Sequence, residues 1–347
     1  MFSSYTKAIM SELEVTANRS KDIELRSVFL GGGTPSVLPC ELLTKIIDWT
    51  RQNFYLSENV EISVEVNPGT VDEKYLCSLF AAGVNRLSLG VQSFDNQELK
   101  KLGRIHTRED AVEAVLCAKK SGFTNINLDL MYGIPGQSLA SWEASLGQAL
   151  VLAPQHLSLY QLTIEEGTPF FDDQAMKKMR LPVEDEVVQM DESRQKLCHA
   201  AGISQYEIAN YATSGKRCIH NITYWENGDY LACGAAAVSC IGGVREKRIA
   251  DPREYVKMMA RGENVIVEHE SLPVEASFRE SVVLGLRMIE GVSLSHLQQR
   301  YGIDPIQYYG QVLEKLEKWQ MIEKTPSHLR LTAQGRRLAN SVMSELV

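Results

Sequence analysis

The chain has 347 residues, of which 44% are hydrophobic and 23% charged, with a net charge of −8. This is an ordinary globular composition, long enough for one large domain or two. The acidic balance argues against an extended nucleic-acid surface or a polybasic membrane anchor, and no apolar run reaches the roughly 18 residues of an integral membrane segment.

Met1–Glu14 is mixed polar, with neither a signal-peptide h-region nor an Arg-rich transit pattern, so the expected compartment is the cytoplasm. The seven cysteines (Cys40, Cys77, Cys117, Cys198, Cys218, Cys233 and Cys240) are scattered and contain no C-x-x-C pair. They read as reduced thiols with no metal site, and Cys77 and Cys117 as core filler.

Strands are predicted at Ser27–Leu30, Val60–Val66, Arg86–Val91, Asn125–Leu130, His156–Leu162 and Gln205–Ile208. Helices are predicted at Pro39–Phe54, Asp72–Ala82, Thr107–Ser121, Leu139–Leu152 and Glu184–Ala201. About six such βα repeats imply a parallel sheet that curls into a barrel or most of one. The first strand runs into Gly31-Gly32-Gly33-Thr34-Pro35-Ser36, whose uncovered N–H groups suit a small polar or anionic ligand, although glycine loops also serve as plain tight turns.

Parallel strands covered on both faces should be continuously apolar, but these alternate. Val60, Ile62, Val64 and Val66 oppose Glu61, Ser63 and Glu65. Leu87, Leu89 and Val91 oppose Arg86, Ser88, Gly90 and Gln92, while Ile126, Leu128 and Leu130 oppose Asn125, Asn127 and Asp129. With helices on the apolar face, the polar face looks into a hydrophilic lumen, which needs water or a polar ligand to satisfy it. An antiparallel sheet with one wet face also alternates, but the intervening helices are too regular for hairpins. Glu65, Gln92 and Asp129 end three successive strands beside the glycine loop, a ring suited to an amine and a ribose diol. Arg104 is placed to take a carboxylate.

Beyond Asn210 the pattern is irregular. From Leu272 a separate module is predicted, with helices Glu275–Met288, Leu294–Tyr301, Gln307–Trp319 and Gln334–Leu346 around a short Met321–Leu331 segment. This is a winged-helix-like α+β arrangement. Its nine Lys/Arg against eight Asp/Glu over Ser271–Val347 are too balanced for duplex binding.

The ordered set Gly-Gly-Gly-Thr-Pro-Ser, Glu-x-Asn-Pro, Gly-Val-Gln-Ser-Phe-Asp, Leu-Gly-Arg-x-His, Asn-Leu-Asp-Leu-Met-Tyr-Gly-x-Pro-Gly-Gln and Leu-Ser-Leu-Tyr-x-Leu-Thr-Ile-Glu resembles a known family. It is that of the radical S-adenosylmethionine (SAM) proteins related to oxygen-independent coproporphyrinogen III oxidase. Cys218-x-His220-Asn221-x-x-Tyr224-Trp225 is similar to the signature of its heme-chaperone branch, and Leu331-Thr332-x-x-Gly335-Arg336 to its C-terminal module. The resemblance implies a partial (β/α)6 TIM-like barrel over 1–210, a connecting region over 211–270 and the winged-helix-like module over 271–347.

It further implies that Gly31, Gly32, Gly33 and Thr34 take the methionine amino group of SAM, with Glu65, Gln92, Arg104 and Asp129 completing that pocket. His220, Asn221, Tyr224 and Trp225 become heme-proximal. His220 and Tyr224 share one face if helical, Trp225 forms a flat wall, and Cys218 is a third possible iron ligand. A buried His–Asn hydrogen-bond knot is the plainer reading of the same residues. The implied function is heme binding and transfer to a heme-accepting protein such as a respiratory hemoprotein. The alternatives are the oxidase itself and an inactive, cluster-free remnant.

Two departures stand out. The family's Cys-x-x-x-Cys-x-x-Cys trio, which holds a [4Fe-4S] cluster, is missing from this sequence. The expectation is therefore an incomplete barrel without its first strand, no SAM cleavage, and an exposed Ser27–Leu30 edge prone to association. At Gly234-Ala235-Ala236-Ala237-Val238-Ser239 the family reads Gly-x-Gly-Ala-His-Ser, so Ala236 is expected to forgo a positive φ and Val238 to remove a ligand or proton donor.

Overall fold

Alternation of period two produces a curled sheet. In the computed structural model, which describes residues 1–168, 170–172, 176 and 179–347, strands β1 (Glu24–Leu30), β2 (Tyr55–Val66), β3 (Arg86–Gln92), β4 (Ile126–Tyr132) and β5 (His156–Gln161) pair in parallel in that order. Their apolar row is buried outward against the helices: Val64, Leu87, Leu128 and Leu157 meet Leu43, Leu79, Val115 and Leu146 in one core. Three of the barrel helices begin where a side chain satisfies their free N–H groups. Asp72 accepts from Tyr75, Ser138 accepts from Ser141, and Thr107 and Asp110 form a capping box. Several helices end before glycines in the left-handed region, among them Gly83 at φ 95°, Gly122 at φ 100° and Gly202 at φ 73°.

The sixth strand departs from expectation. Gln205–Ile208 does not continue the parallel series. Instead β6 (Ser204–Gln205) and β7 (Asn210–Ala212) form an antiparallel pair, with β7 bonded to β5. Four residues separate them, far too few for the crossover a parallel neighbour requires. At the other end β1 has one strand neighbour among the described residues, and helix Ile219–Trp225 packs against it.

The irregular region contains a second, antiparallel sheet of β8 (Val238–Ile241), β9 (Val244–Arg248) and β10 (Ile266–Ser271), with helix Pro252–Ala260. Val244-Arg-Glu-Lys-Arg has no hydrophobic alternation, so nothing in its pattern marked it as a strand. The first helix, Phe2–Arg19, is joined to this sheet by buried Glu12, which accepts from Arg248 Nε at 2.9 Å, Tyr255 Oη at 2.6 Å and the Gly234 N–H at 2.8 Å. Ala236 stands at φ 61°, so the expectation that an alanine would forgo the left-handed conformation is overturned. Its N–H donates to Ile249 O and the Arg248 N–H donates to Ala237 O, pinning the turn across the sheet.

The third sheet, β11 (Val292–Ser293), β13 (His328–Leu331) and β12 (Ile322–Lys324), packs with helices on Phe278, Val282, Leu313 and Leu329. The helix expected at Gln307–Trp319 is split into Pro305–Tyr309 and Gln311–Lys318 by Gly310 at φ 41°. Cys77 is exposed rather than core filler. Among the described residues no helix is long and apolar enough to cross a membrane.

Candidate functional site

The strand register decides which inward side chains meet. Glu65 lies beside Ser88, Ser88 beside Asn127 and Asn127 beside His156, while Asp129 and Ser158 pair one step nearer the strand ends. At that level the curl encloses a cavity of about 310 Å³, lined among others by Glu65, Arg86, Gln92, Asp129, Tyr160 and Asn221. Of the ring expected from sequence, Glu65, Gln92 and Asp129 converge. Gly31, Gly32, Gly33, Thr34 and Arg104 do not line the cavity, although the Gly32 N–H donates to Glu65 Oε2 at 3.2 Å. Gly32 and Gly33 are exposed at the strand end with φ of 81° and 95°, the left-handed region that glycine adopts without strain. A Cβ on Gly31 would strike the Phe29 ring.

Gln92 reaches the cavity by an unusual route. Its φ of 68° is left-handed, and the β3–β4 register slips between Leu89 and Gln92. This bulge turns the carboxamide inward at a strand end.

The expectation that the whole lumen awaits water or ligand is corrected. In the cavity wall and below it, much of the polar face is satisfied by the protein. Asn127 Nδ2 donates to Ser88 Oγ at 2.7 Å and to Asp129 Oδ1 at 2.8 Å. His156 bridges Asn127 Oδ1 at 2.6 Å and Tyr206 Oη at 2.8 Å. Glu61 Oε2 accepts from the Ile219 N–H at 3.1 Å, and its Oε1 from the Cys218 thiol at 3.5 Å. Glu61 and Glu65 share a face, yet one belongs to this floor and the other to the cavity.

Burial raises the pKa of both cavity carboxyls. For Glu65 the Gly32 N–H opposes the shift and the Asp129 charge adds to it; for Asp129 the Asn127 and Ser158 hydrogen bonds oppose it. Arg86 is buried, and its Nε has no hydrogen-bond partner among the described residues. Sequence reasoning placed Arg86, Ser88 and Asn127 on the inward face without counting them in the site. Their shared parity with Glu65 and Asp129 was the available signal. Phe29, Ser158 and Tyr160 were also missed.

Helix Ile219–Trp225 carries the second group. His220 stacks on Phe29, with centroids 4.2 Å apart and planes within 6°, and meets Tyr224 edge-on at 4.8 Å. Asn221 turns instead into the cavity. Trp225 is not brought to this pair; it packs with Tyr206, Ala212 and Met288, under Arg287 at 4.3 Å. Cys218 is buried, its thiol pushed up to about 12 by burial, which disfavours the thiolate an iron ligand requires.

Burial, aided by the Arg86 charge, lowers the His220 pKa to about 4. The unfolded imidazole takes its proton near 6.5, so between these values the unfolded chain binds more protons. The contribution of this residue to stability is therefore complete above about pH 6.5 and lost as pH falls toward 4. Glu65 and Asp129, with raised values, act in the opposite sense. An NMR titration of the His220 ring is expected to show a midpoint near 4; one above 6 would contradict the burial.

The donors suit an adenosylated amino acid: two carboxyls and a carboxamide line one cavity, and the Gly32 amide is tied to it through Glu65. They do not suit an iron–sulfur cluster. Among the described residues no three His, Cys, Asp or Glu side chains converge on a metal position, and no Cys-x-x-x-Cys-x-x-Cys occurs in the sequence.

The radical SAM superfamily profile matches residues 7–149, and the HemN C-terminal domain profile matches 272–338. Coproporphyrinogen III oxidase (HemN) from Escherichia coli, a radical SAM enzyme, superposes with a TM-score of 0.85 at 22% identity, covering 99% of this chain and 83% of that one. Fold and profiles together define a protein of the radical SAM superfamily with a HemN-type C-terminal module. The heme chaperone HemW of Bacillus subtilis (strain 168) is 35% identical over 339 residues, 97% of this chain and 89% of that protein. HemW of Lactococcus lactis is 32% identical over 344 residues, 99% and 89%. The chain belongs to the HemW family.

Proposed function

We propose that this chain binds heme as cargo on helix Ile219–Trp225 and passes it to a heme-accepting protein in the cytoplasm. The carrying observation is the His220 ring. It is held between Phe29 and Tyr224, is neutral at physiological pH, and has no hydrogen bond to either nitrogen among the described residues. A neutral imidazole with a free lone pair is what an axial iron ligand requires. The relatives' name, heme chaperone, supports the same reading. Tyr224 would flank the bound macrocycle, and Asn221 would link the helix to the cavity.

The cavity is proposed to hold SAM. Gly31, Gly32, Gly33, Thr34 and Glu65 would orient the amino group, Gln92 and Asp129 the remaining polar groups, and Arg104 the carboxylate from the rim. Bound SAM is a sulfonium cation, and the two carboxyls provide the matching charge. In this reading residues 1–210 form the SAM unit, 211–270 carry the heme motif, and 271–347 form the C-terminal module. The oxidase alternative rests on fold alone.

Hemin titration tests the proposal. A Soret shift is expected in the wild type and its loss in His220→Ala; an unchanged shift in that variant would remove His220 as ligand. Separately, Glu65→Gln is expected to weaken S-adenosylhomocysteine binding by about tenfold to a hundredfold in calorimetry, the effect of losing a charged hydrogen bond. Wild-type affinity in that variant would count against the SAM assignment.

A further inference from the structure

Helix Ile219–Trp225 has seven residues, too few to hold its shape unaided. The barrel grips its start through Glu61. Its other end is held from the C-terminal module. Arg300 Nη2 donates to Asn227 O at 2.7 Å and its Nη1 to Glu226 O at 3.3 Å, supplying donors where helix carbonyls lack partners. Asn227 adopts φ 48° and closes the helix, and the Gly228 N–H returns to Thr223 O at 2.8 Å. The Asn227 side-chain amide then donates to Ser281 Oγ at 2.9 Å and Glu280 Oε2 at 3.2 Å, both on helix Val274–Gly285 of the module. Arg287 lies 4.3 Å over the Trp225 ring, a cation–π contact from the same module.

We propose that the C-terminal module is the clamp that orients the His220–Tyr224 pair, with Arg300 and Asn227 as its positioning residues. The inference rests on the heme reading above and goes beyond it. The module acts on cargo binding without touching the cargo, so whatever docks on the module gains leverage over heme release. That leverage is reciprocal, since binding free energies at two linked sites are coupled equally in both directions.

The test uses the full chain with three substitutions. Arg300→Ala removes an exposed arginine and so leaves the core intact. Asn227→Gly keeps the left-handed conformation open while cutting the link to Ser281 and Glu280. Arg330→Ala is the control, because Arg330 pairs with Glu323 elsewhere in the module. In the first two, hemin is expected to dissociate about tenfold faster, with faster amide exchange over residues 219–225 and the melting temperature of the control. Arg300→Lys, able to reach one carbonyl, should recover part of the effect. Unchanged dissociation and exchange, or equal changes in Arg330→Ala, would overturn the clamp. A wild type that takes no hemin overturns the heme reading, and amide exchange at 219–225 then decides the clamp by itself.

Discussion

Glu61→Ala is expected to destabilise the protein by about 3–5 kcal/mol and to abolish hemin binding with it. Glu61 is 6% exposed and accepts from the Ile219 and His220 N–H groups, the Cys218 thiol and the Ser63 hydroxyl. Removing it strands two N–H groups at a half-buried helix start and takes a nearby negative charge from buried Arg86. Glu61→Gln keeps an acceptor oxygen but not the charge, so a smaller loss of about 1–2 kcal/mol is expected. Urea denaturation of both variants measures this. A loss below about 1 kcal/mol for alanine would mean that the helix start is held by something other than Glu61.

Gly335→Ala is expected to unfold the C-terminal module, at a cost of about 3 kcal/mol or more. A Cβ there would overlap the Met321 carbonyl, which is backbone and has no rotamer by which to retreat. The two segments cannot separate freely. The Thr332 N–H donates to Met321 O at 3.0 Å, and Thr332 Oγ1 donates to Gln320 O at 2.6 Å while accepting from the Gly335 N–H at 3.0 Å. Calorimetry should show a lowered transition for this module together with faster exchange in helix Ile219–Trp225, which the module grips. A melting curve matching wild type would show that Met321 moves aside without cost.

Met321 and Gly335 belong to a stretch whose motif was legible in the sequence, but its reason was not: the contact joins residues fourteen apart. The same division runs through the site. The parity of Glu65, Ser88, Asn127 and Asp129 could be read directly, because strand side chains alternate with a period of two. The positions of Gly83 and Gly122 could also be read, because a helix end calls for a residue free to turn left-handed. The β8–β10 sheet could not, since its strands are short, β9 is almost wholly charged, and the sheet is tied down by Glu12, more than 200 residues away in the chain. Gln92 and Ala236 hold positive φ only because register and cross-sheet hydrogen bonds over-determine them, which no propensity reports.

Local residue order therefore determined the strand faces, the boundaries of the five predicted barrel helices, the glycine loop and the His220–Tyr224 spacing, all set by the geometry of neighbours in the chain. Only the tertiary structure decided that Glu65 opens onto a cavity while Glu61, four residues earlier on the same face, closes the floor. It also decided that Trp225 leaves His220 for Arg287. Those outcomes depend on which distant groups arrive to satisfy a buried charge or cover a ring, and that partnership is settled by packing.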